Sequence, residues 1–195
     1  MRIATIVQST SHLDYRARVL DELETATPPE PATYGFGQWV AVPVAQTSAI
    51  GVLYNSQLIV PDGMATGPRL STPSEQRAIF TPDYLREHGI LLSLLLVGWR
   101  EGKAYHQGVP RLVVPVQAPV ETLSPDEVLA FHQGADGGVT LAYYPIVATH
   151  AGLFAPTLLE AILDQLDGLV SDLQRARLRI LRKSLAWQTR VESLR

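Results

Sequence analysis

Two hydrophobic periods divide the chain. Residues 2–7 (Arg2-Ile3-Ala4-Thr5-Ile6-Val7) alternate and are rich in β-branched side chains, which predicts a strand. Ser9, Thr10 and Ser11 supply a turn, and Tyr15 to Leu20 alternates apolar with charged positions as a second, half-exposed strand. Gln38–Val44, entered through Gly35 and Gly37, predicts a third strand, and Ala49–Tyr54 a fourth. Ile90–Trp99 is a nearly unbroken apolar run beginning just after Gly89, the pattern of a strand buried on both faces. Arg111–Val116 predicts a further strand, held to an edge or bulge by Pro110, Pro115 and Pro119. Val139–Val147 predicts a last one.

From Pro156 the period changes from two to 3.6. Leu159, Ile162, Leu163, Leu166, Leu169, Val170 and Leu173 fall on one stripe, which Ile180, Leu181 and Leu185 continue. A single helix of that length extends roughly 45–60 Å, with Gly168 a place to bend. A small barrel cannot cover such a stripe from end to end, so part of it is expected to meet another chain. Two shorter helices are predicted. Thr81, Pro82 and Gly89 frame one over 82–88, and Ser124-Pro125-Asp126-Glu127 is a capping box that starts another running to about Gln133. Acidic, proline-rich residues 21–33, residues 61–73, and Gly134, Gly137 and Gly138 mark loops.

Charge sharpens this division. The formal net charge is −3, yet residues 171–195 hold seven basic and two acidic side chains (net +5), leaving −8 for residues 1–170. Arg175, Arg179, Arg182 and Lys183 are spaced to share a helix face, whereas Arg177 points elsewhere. Such a face is either solvated or a contact for nucleic acid or an acidic partner. Cysteine is absent, which excludes disulfides and thiolate metal sites and fits a reducing cytoplasm. The opening MRIATIVQST has no cleavable apolar segment, and the run Ile90–Val97 is too short to span a bilayer, so neither secretion nor membrane insertion is expected.

Catalytic patterns are weak. No two of His12, His88, His106, His132 and His150 stand at the i, i+4 spacing that ligates zinc from one helix face. Gly98-Trp99-Arg100-Glu101-Gly102-Lys103-Ala104 resembles a phosphate loop only superficially. It has three residues between its glycines instead of four, and Ala104 lacks the hydroxyl that binds magnesium. A β-hairpin with Gly102 at a positive-φ position explains it better. Gly35-Phe36-Gly37 lacks the third glycine of a dinucleotide fingerprint, and Gly-x-Ser-x-Gly is missing. An enzyme built from His106, His12 and Asp14 is the remaining catalytic reading.

The order of strands and glycines resembles the barrel at the front of HerA-type translocases and rotary ATP synthase subunits, the HAS barrel. Ile3–Thr10 is similar to its opening strand, Tyr34–Val42 to its third element, and Ile50–Tyr54 to its fourth. Leu92–Gly98 resembles the fifth, and Val113–Val120 the sixth with its proline-rich exit. The likeness covers roughly residues 1–123. It implies the assembly module of that family without the motor, because no Walker loop follows. In that family the barrel takes part in ring assembly and docks partners such as the NurA nuclease.

The expected fold is therefore mainly β (α+β), a small β-barrel followed by a helical C-terminal extension. The expected division is a barrel over 1–123, a short helix and strand connection over 124–155, and a long basic amphipathic helix over 156–195. Residues 1–150 are expected to stand as a barrel without the helix. The expected function is that of a non-catalytic adaptor needing no cofactor or metal. Its oligomer interface is expected on the Leu159–Leu173 stripe, with a HerA-like ATPase or NurA-like nuclease, or a second copy, as partner. The alternative is a nucleic-acid-binding module using Arg175, Arg179, Arg182 and Lys183.

Overall fold

A computed structural model describes residues 1–59, 89–134, 137–172, 174–176, 178–180 and 182–183. Seven strands are present among them: β1 (Arg2–Ser9), β2 (Asp14–Val19), β3 (Trp39–Val44), β4 (Thr47–Ile59), β5 (Gly89–Glu101), β6 (Ala104–Gln107) and β7 (Pro119–Thr122). They run in the order β2-β1-β7-β3-β4-β5-β6, and β2 also pairs with β5. That extra pairing closes six antiparallel strands into a barrel, with β6 attached to β5 as a hairpin. Closure pairs the edges that an open sheet would leave over the strands' shared length, while β6 and the far end of β4 extend beyond it.

The register sorts the side chains. Ala4 lies opposite Val19 and Val120, Ile6 opposite Ala17, and Tyr15 and Ala17 opposite Leu94 and Leu92. This face points inward and is filled by side chains, all of them buried. On β2 the remaining positions, Asp14, Arg16 and Arg18, face outward and are half-buried, which is why that strand alternates in sequence. On β3, β4 and β5 the outer face is buried as well. Trp39 pairs with Val52, Ala41 with Ile50, and Ile50 with Gly98 on that side. Helices cover it, so β5 reads as a continuous apolar run.

The covering layer contains α1 (Pro125–His132), α2 (Tyr144–His150) and α3 (Ala155–Leu169). The capping box that starts α1 is formed in both directions, Ser124 accepting from the Glu127 amide and Glu127 from the Ser124 amide. Glu127 also binds the Arg100 guanidinium at 2.8 Å, tying α1 to β5. These contacts lower the Glu127 pKa, the Ser124 amide being the largest cause. Behind Gly98 sits the Phe131 ring, so close that a Cβ there would lie 2.6 Å from Phe131 Cε2. Gln107 of β6 locks the layer from the other side. Its amide donates to the carbonyls of Phe131 (2.9 Å) and Thr140 (3.0 Å), and its oxygen accepts from the Ala142 amide (2.6 Å).

Between barrel and helices lies an aromatic cluster of Trp39, Phe131, His132 and Tyr143. Both ring nitrogens of the fully buried His132 are used. Nδ1 faces the Val128 carbonyl at 2.7 Å, which only accepts, so Nδ1 carries the proton. Nε2 therefore accepts from the Tyr143 hydroxyl at 2.8 Å. Burial drives the His132 pKa down to about 4. The Trp39 indole N–H, also buried, has no hydrogen-bond partner among the described residues.

Three expectations need correction. Arg111–Val116 is not a strand, and the sixth barrel strand is β7. Pro110 and Pro115 cannot donate to a ladder, and the segment is held by isolated hydrogen bonds instead. Val139–Val147 is not a strand either. Val139 makes only an isolated bridge to Gln133, and Pro145, with its fixed φ, sits in the first turn of α2. The stretch after Pro156 is not one long helix. Val170 is extended (φ −96°, ψ 159°), and the chain turns helical again within 172–183. A straight helix would place residues 164 and 182 about 27 Å apart. Instead the Arg182 guanidinium meets Asp164 at 2.5 Å and Arg175 meets the Asp167 carbonyl at 3.2 Å, so the second segment folds back along α3. Ser171 starts it, its amide and hydroxyl both binding Gln174 Oε1 at 3.3 Å. The loop of 61–73, the helix of 82–88, and Arg177, Leu181 and Leu185 lie outside the described residues.

Candidate docking site

The expected oligomer stripe is covered by its own chain. Leu159, Ile162, Leu163, Leu166 and Val170 are buried, and Leu169 is half-buried against the same core, together with Leu158 on α3. Gln165 reaches from α3 to the Gly37 carbonyl at 3.0 Å, fixing α3 beside the entry to β3. Leu173 lies outside the described residues. The stripe needs no second copy to leave water, because the fold-back and the barrel wall both cover it. The same burial joins α3 to the outer face of β3–β5 in one continuous core, so a chain ending at residue 150 would leave that face uncovered. Of the four basic residues, Arg175 is bound to Asp167 and Asp172, and Arg182 to Asp164. Arg179 and Lys183 are exposed and in no ion pair among the described residues. The intended basic face is therefore half neutralised from within.

The residues of the catalytic reading are each engaged separately. His12 Nε2 bonds the Pro110 carbonyl at 2.7 Å, Asp14 accepts from Thr10 and Tyr54, and His106 stacks on Trp99. Among the described residues no three His, Asp or Glu side chains are grouped to hold a metal. Gly98–Ala104 is the β5–β6 hairpin, with Gly102 at φ 56°.

Two surfaces present apolar side chains in fixed backbone. The first is the 108–118 loop at the mouth where β1 ends and β2 begins. Val113 is 69% exposed and Val116 67%, and Val109 and Val7 are exposed as well. Barrel contacts pin this loop. His12 holds Pro110, the Tyr15 hydroxyl accepts from the Val114 amide at 3.4 Å, and Gln117 donates to the Ile6 carbonyl at 2.8 Å. Gln117 sits at φ 66°, a left-handed conformation that a side chain resists, so the surrounding contacts hold the loop against local strain. The strand expected over Arg111–Val116 follows from Val113, Val114 and Val116, since β-branched residues read that way in isolation.

The second is a groove of about 320 Å³ alongside β4, with walls that include Tyr34, Phe36, Phe154 and Leu58. The Phe36 and Phe154 rings meet with centroids 6.1 Å apart. Tyr54 lines it too. Its hydroxyl donates to Asp14 at 2.9 Å, and burial, followed by that Asp14 contact, raises its pKa to about 12. Ser93 lies buried beside it under the Arg16 guanidinium. No motif in the sequence marks this groove, whose walls come from four separate segments.

A family model described as Domain of unknown function (DUF8166) matches residues 1–194, and the chain belongs to that family. No curated protein matches it.

Proposed function

We propose that this chain is a non-catalytic docking protein, an assembly module of the HAS-barrel type without a motor. One observation carries the reading: the pinned 108–118 loop, which holds Val113 and Val116 in water between hydrogen bonds to the barrel and the left-handed Gln117. Apolar side chains kept outward at a cost in strain are characteristic of a contact surface rather than of a solvated loop. The resemblance to the barrels of HerA-type translocases, which take part in ring assembly and partner docking in that family, supports a HerA-like ATPase as the partner. The side-chain-filled interior leaves the outer surface for recognition.

The test uses the purified chain and the HerA-type ATPase of the same organism in biolayer interferometry. Binding is expected for the wild type, with a loss of roughly ten-fold or more in a Val113→Asp/Val116→Asp variant. Failure of the wild type to bind either that ATPase or a NurA-type nuclease overturns the assignment of partner. Turnover of ATP by the isolated chain overturns the non-catalytic reading.

A further inference from the structure

β3 runs beside β4 only as far as the pair Trp39–Val52. Two more bonds, Leu53 to the Gln38 carbonyl (2.9 Å) and Gly37 to the Leu53 carbonyl (2.8 Å), close that ladder. Gly37, at φ 79°, then lets the chain turn away. Yet β4 continues to Ile59, paired with β5 through Ile59–Gly89. From Asn55 to Ile59 its other side has no strand beside it among the described residues.

The register shows which groups this edge offers. Leu96 donates to the Leu13 carbonyl on the β2 side, so alternation turns Leu95, Ser93 and Leu91 toward β4. Their partners Asn55 and Gln57 turn toward β5. Ser56 and Leu58 therefore direct their backbone groups to the open side. The Ser56 amide is bound by the Asn55 side-chain oxygen at 2.9 Å, as expected of a donor with no strand to meet. Among the described residues the Ser56 carbonyl and both backbone groups of Leu58 have no partner.

Strand edges are ordinarily blunted by charge, proline or a covering element. Asn55-Ser56-Gln57-Leu58-Ile59 has no charge and no proline, and Leu58 is 78% exposed. The open edge runs along the aromatic groove, whose lining contains no charged side chain.

We propose that this edge is a strand-addition site for an extended, uncharged segment of a partner protein. The segment pairs its backbone with Ser56 and Leu58, and its alternate apolar side chains lie against Phe36 and Phe154. The edge chemistry selects the occupant, because an extended peptide matches alternating donors and acceptors at strand spacing. The uncharged aromatic wall selects apolar over charged side chains. This inference rests on the docking reading but on a different surface.

The experiment selects unconstrained twelve-residue peptides displayed on phage against the full chain, then measures the synthesised winners by calorimetry. The expected winners alternate apolar residues without charge. Leu58→Ala is expected to weaken them only a few-fold, because it keeps the backbone. Leu58→Pro removes an edge donor that faces away from β5, so the fold is expected to stand and binding to fall roughly ten-fold or more. N-methylation of the peptide's pairing amides is expected to have the same effect with the protein unaltered, so the test holds even where Leu58→Pro misfolds. Absence of enriched peptides, or winners indifferent to both changes, overturns the proposal. A dimer in light scattering that Leu58→Pro dissociates assigns the edge to a second copy and overturns it too. A Leu58 amide protected from hydrogen exchange in the isolated monomer assigns it to the chain itself. ATPase binding that survives Leu58→Pro but not Val113→Asp/Val116→Asp leaves the docking reading standing and removes this site.

Discussion

Replacing Gly98 with alanine should damage this protein more than its size suggests. A Cβ at that position would stand 2.6 and 2.8 Å from Phe131 Cε2 and Cζ, and would also press on the His106 backbone carbonyl of the paired strand. Contacts below 3.0 Å are not tolerated, so something must shift. The carbonyl is fixed by the β5–β6 register, in which Gly98 lies opposite Gln107. Phe131 is fixed by its stack on Tyr143, with centroids 5.9 Å apart, and by its contact with Trp39 at 5.5 Å. Overpacking in a filled core costs about 1–3 kcal/mol and sometimes more, and with a backbone atom involved we expect about 2–4 kcal/mol. For a chain of this length that is a loss of roughly 5–15 °C in Tm. Gly168→Ala is the control. It lies in α3 with nothing among the described residues within 4 Å of its missing Cβ, so the same substitution should stabilise by about 0.5–1 kcal/mol. Urea denaturation followed by tryptophan fluorescence measures both, and adding Phe131→Leu to Gly98→Ala should recover part of the loss. A Gly98→Ala protein within about 0.5 kcal/mol of wild type would refute the placement of α1 against β5.

Between pH 7 and 5 the wild type should lose roughly 2 kcal/mol of stability. Neutral His132, with its pKa near 4, is protonated in the unfolded chain from its ordinary 6.5 downward, so stability is full above that value and falls toward pH 4. His132→Gln should flatten the urea midpoint across that window, and an unchanged slope would show that the imidazole is not buried neutral. Ser124→Ala removes the acceptor for the Glu127 amide and should cost about 0.5–2 kcal/mol by thermal melt. A fragment ending at Gly152 exposes the outer face of β3–β5 by removing Leu158, Ile162, Leu163 and Leu166, each worth about 1.5–3 kcal/mol when buried. That total rivals the whole stability of a domain, so the fragment should show no cooperative melt, and a sharp one would prove the barrel self-sufficient. On a heparin column Arg179→Ala/Lys183→Ala should elute at lower salt than wild type, while Arg175→Ala/Arg182→Ala should not, because their partners already neutralise them.

The barrel was legible wherever one physical rule governed a segment. Alternation in β2 follows from one wet and one dry face, and the run at Ile90–Trp99 from two dry faces. The capping box at Ser124 and the Gly102 turn are local chemistry and were read from local sequence. Misreadings came where local preference and tertiary placement diverge. Val139–Val147 carries apolar and β-branched residues fit for a strand, but Pro145 begins a helix turned onto the aromatic cluster. Val113–Val116 has strand propensity without a ladder partner. The stripe from Leu159 to Val170 correctly announced burial, but a periodic pattern cannot say which surface covers it. The fold-back at Val170 did carry a signal, Ser171-x-x-Gln174, weaker than the unbroken leucine period around it. The groove beside β4 had none, since a missing strand neighbour leaves no mark in the strand itself.

Burial of the helical stripe changes where assembly can occur. Side chains that already fill the chain's own core cannot also drive association, because opening them would cost about as much as a partner could return. On the docking proposal, association would then use groups the fold leaves unsatisfied. Two kinds bear on the proposals above: apolar side chains held in water at the mouth loop, and backbone groups left open on β4. These differ in what they can recognise. Valines on a pinned loop favour a preformed apolar surface, as on a folded ATPase, and lose affinity when made charged. A strand edge favours an extended segment, tolerates side-chain truncation at Leu58, and fails only when a backbone donor is removed. A partner that engaged both would bind through two linked contacts, and each single disruption would then weaken it by less than their combination. The double variant Val113→Asp with Leu58→Pro therefore separates one bivalent partner from two independent ones.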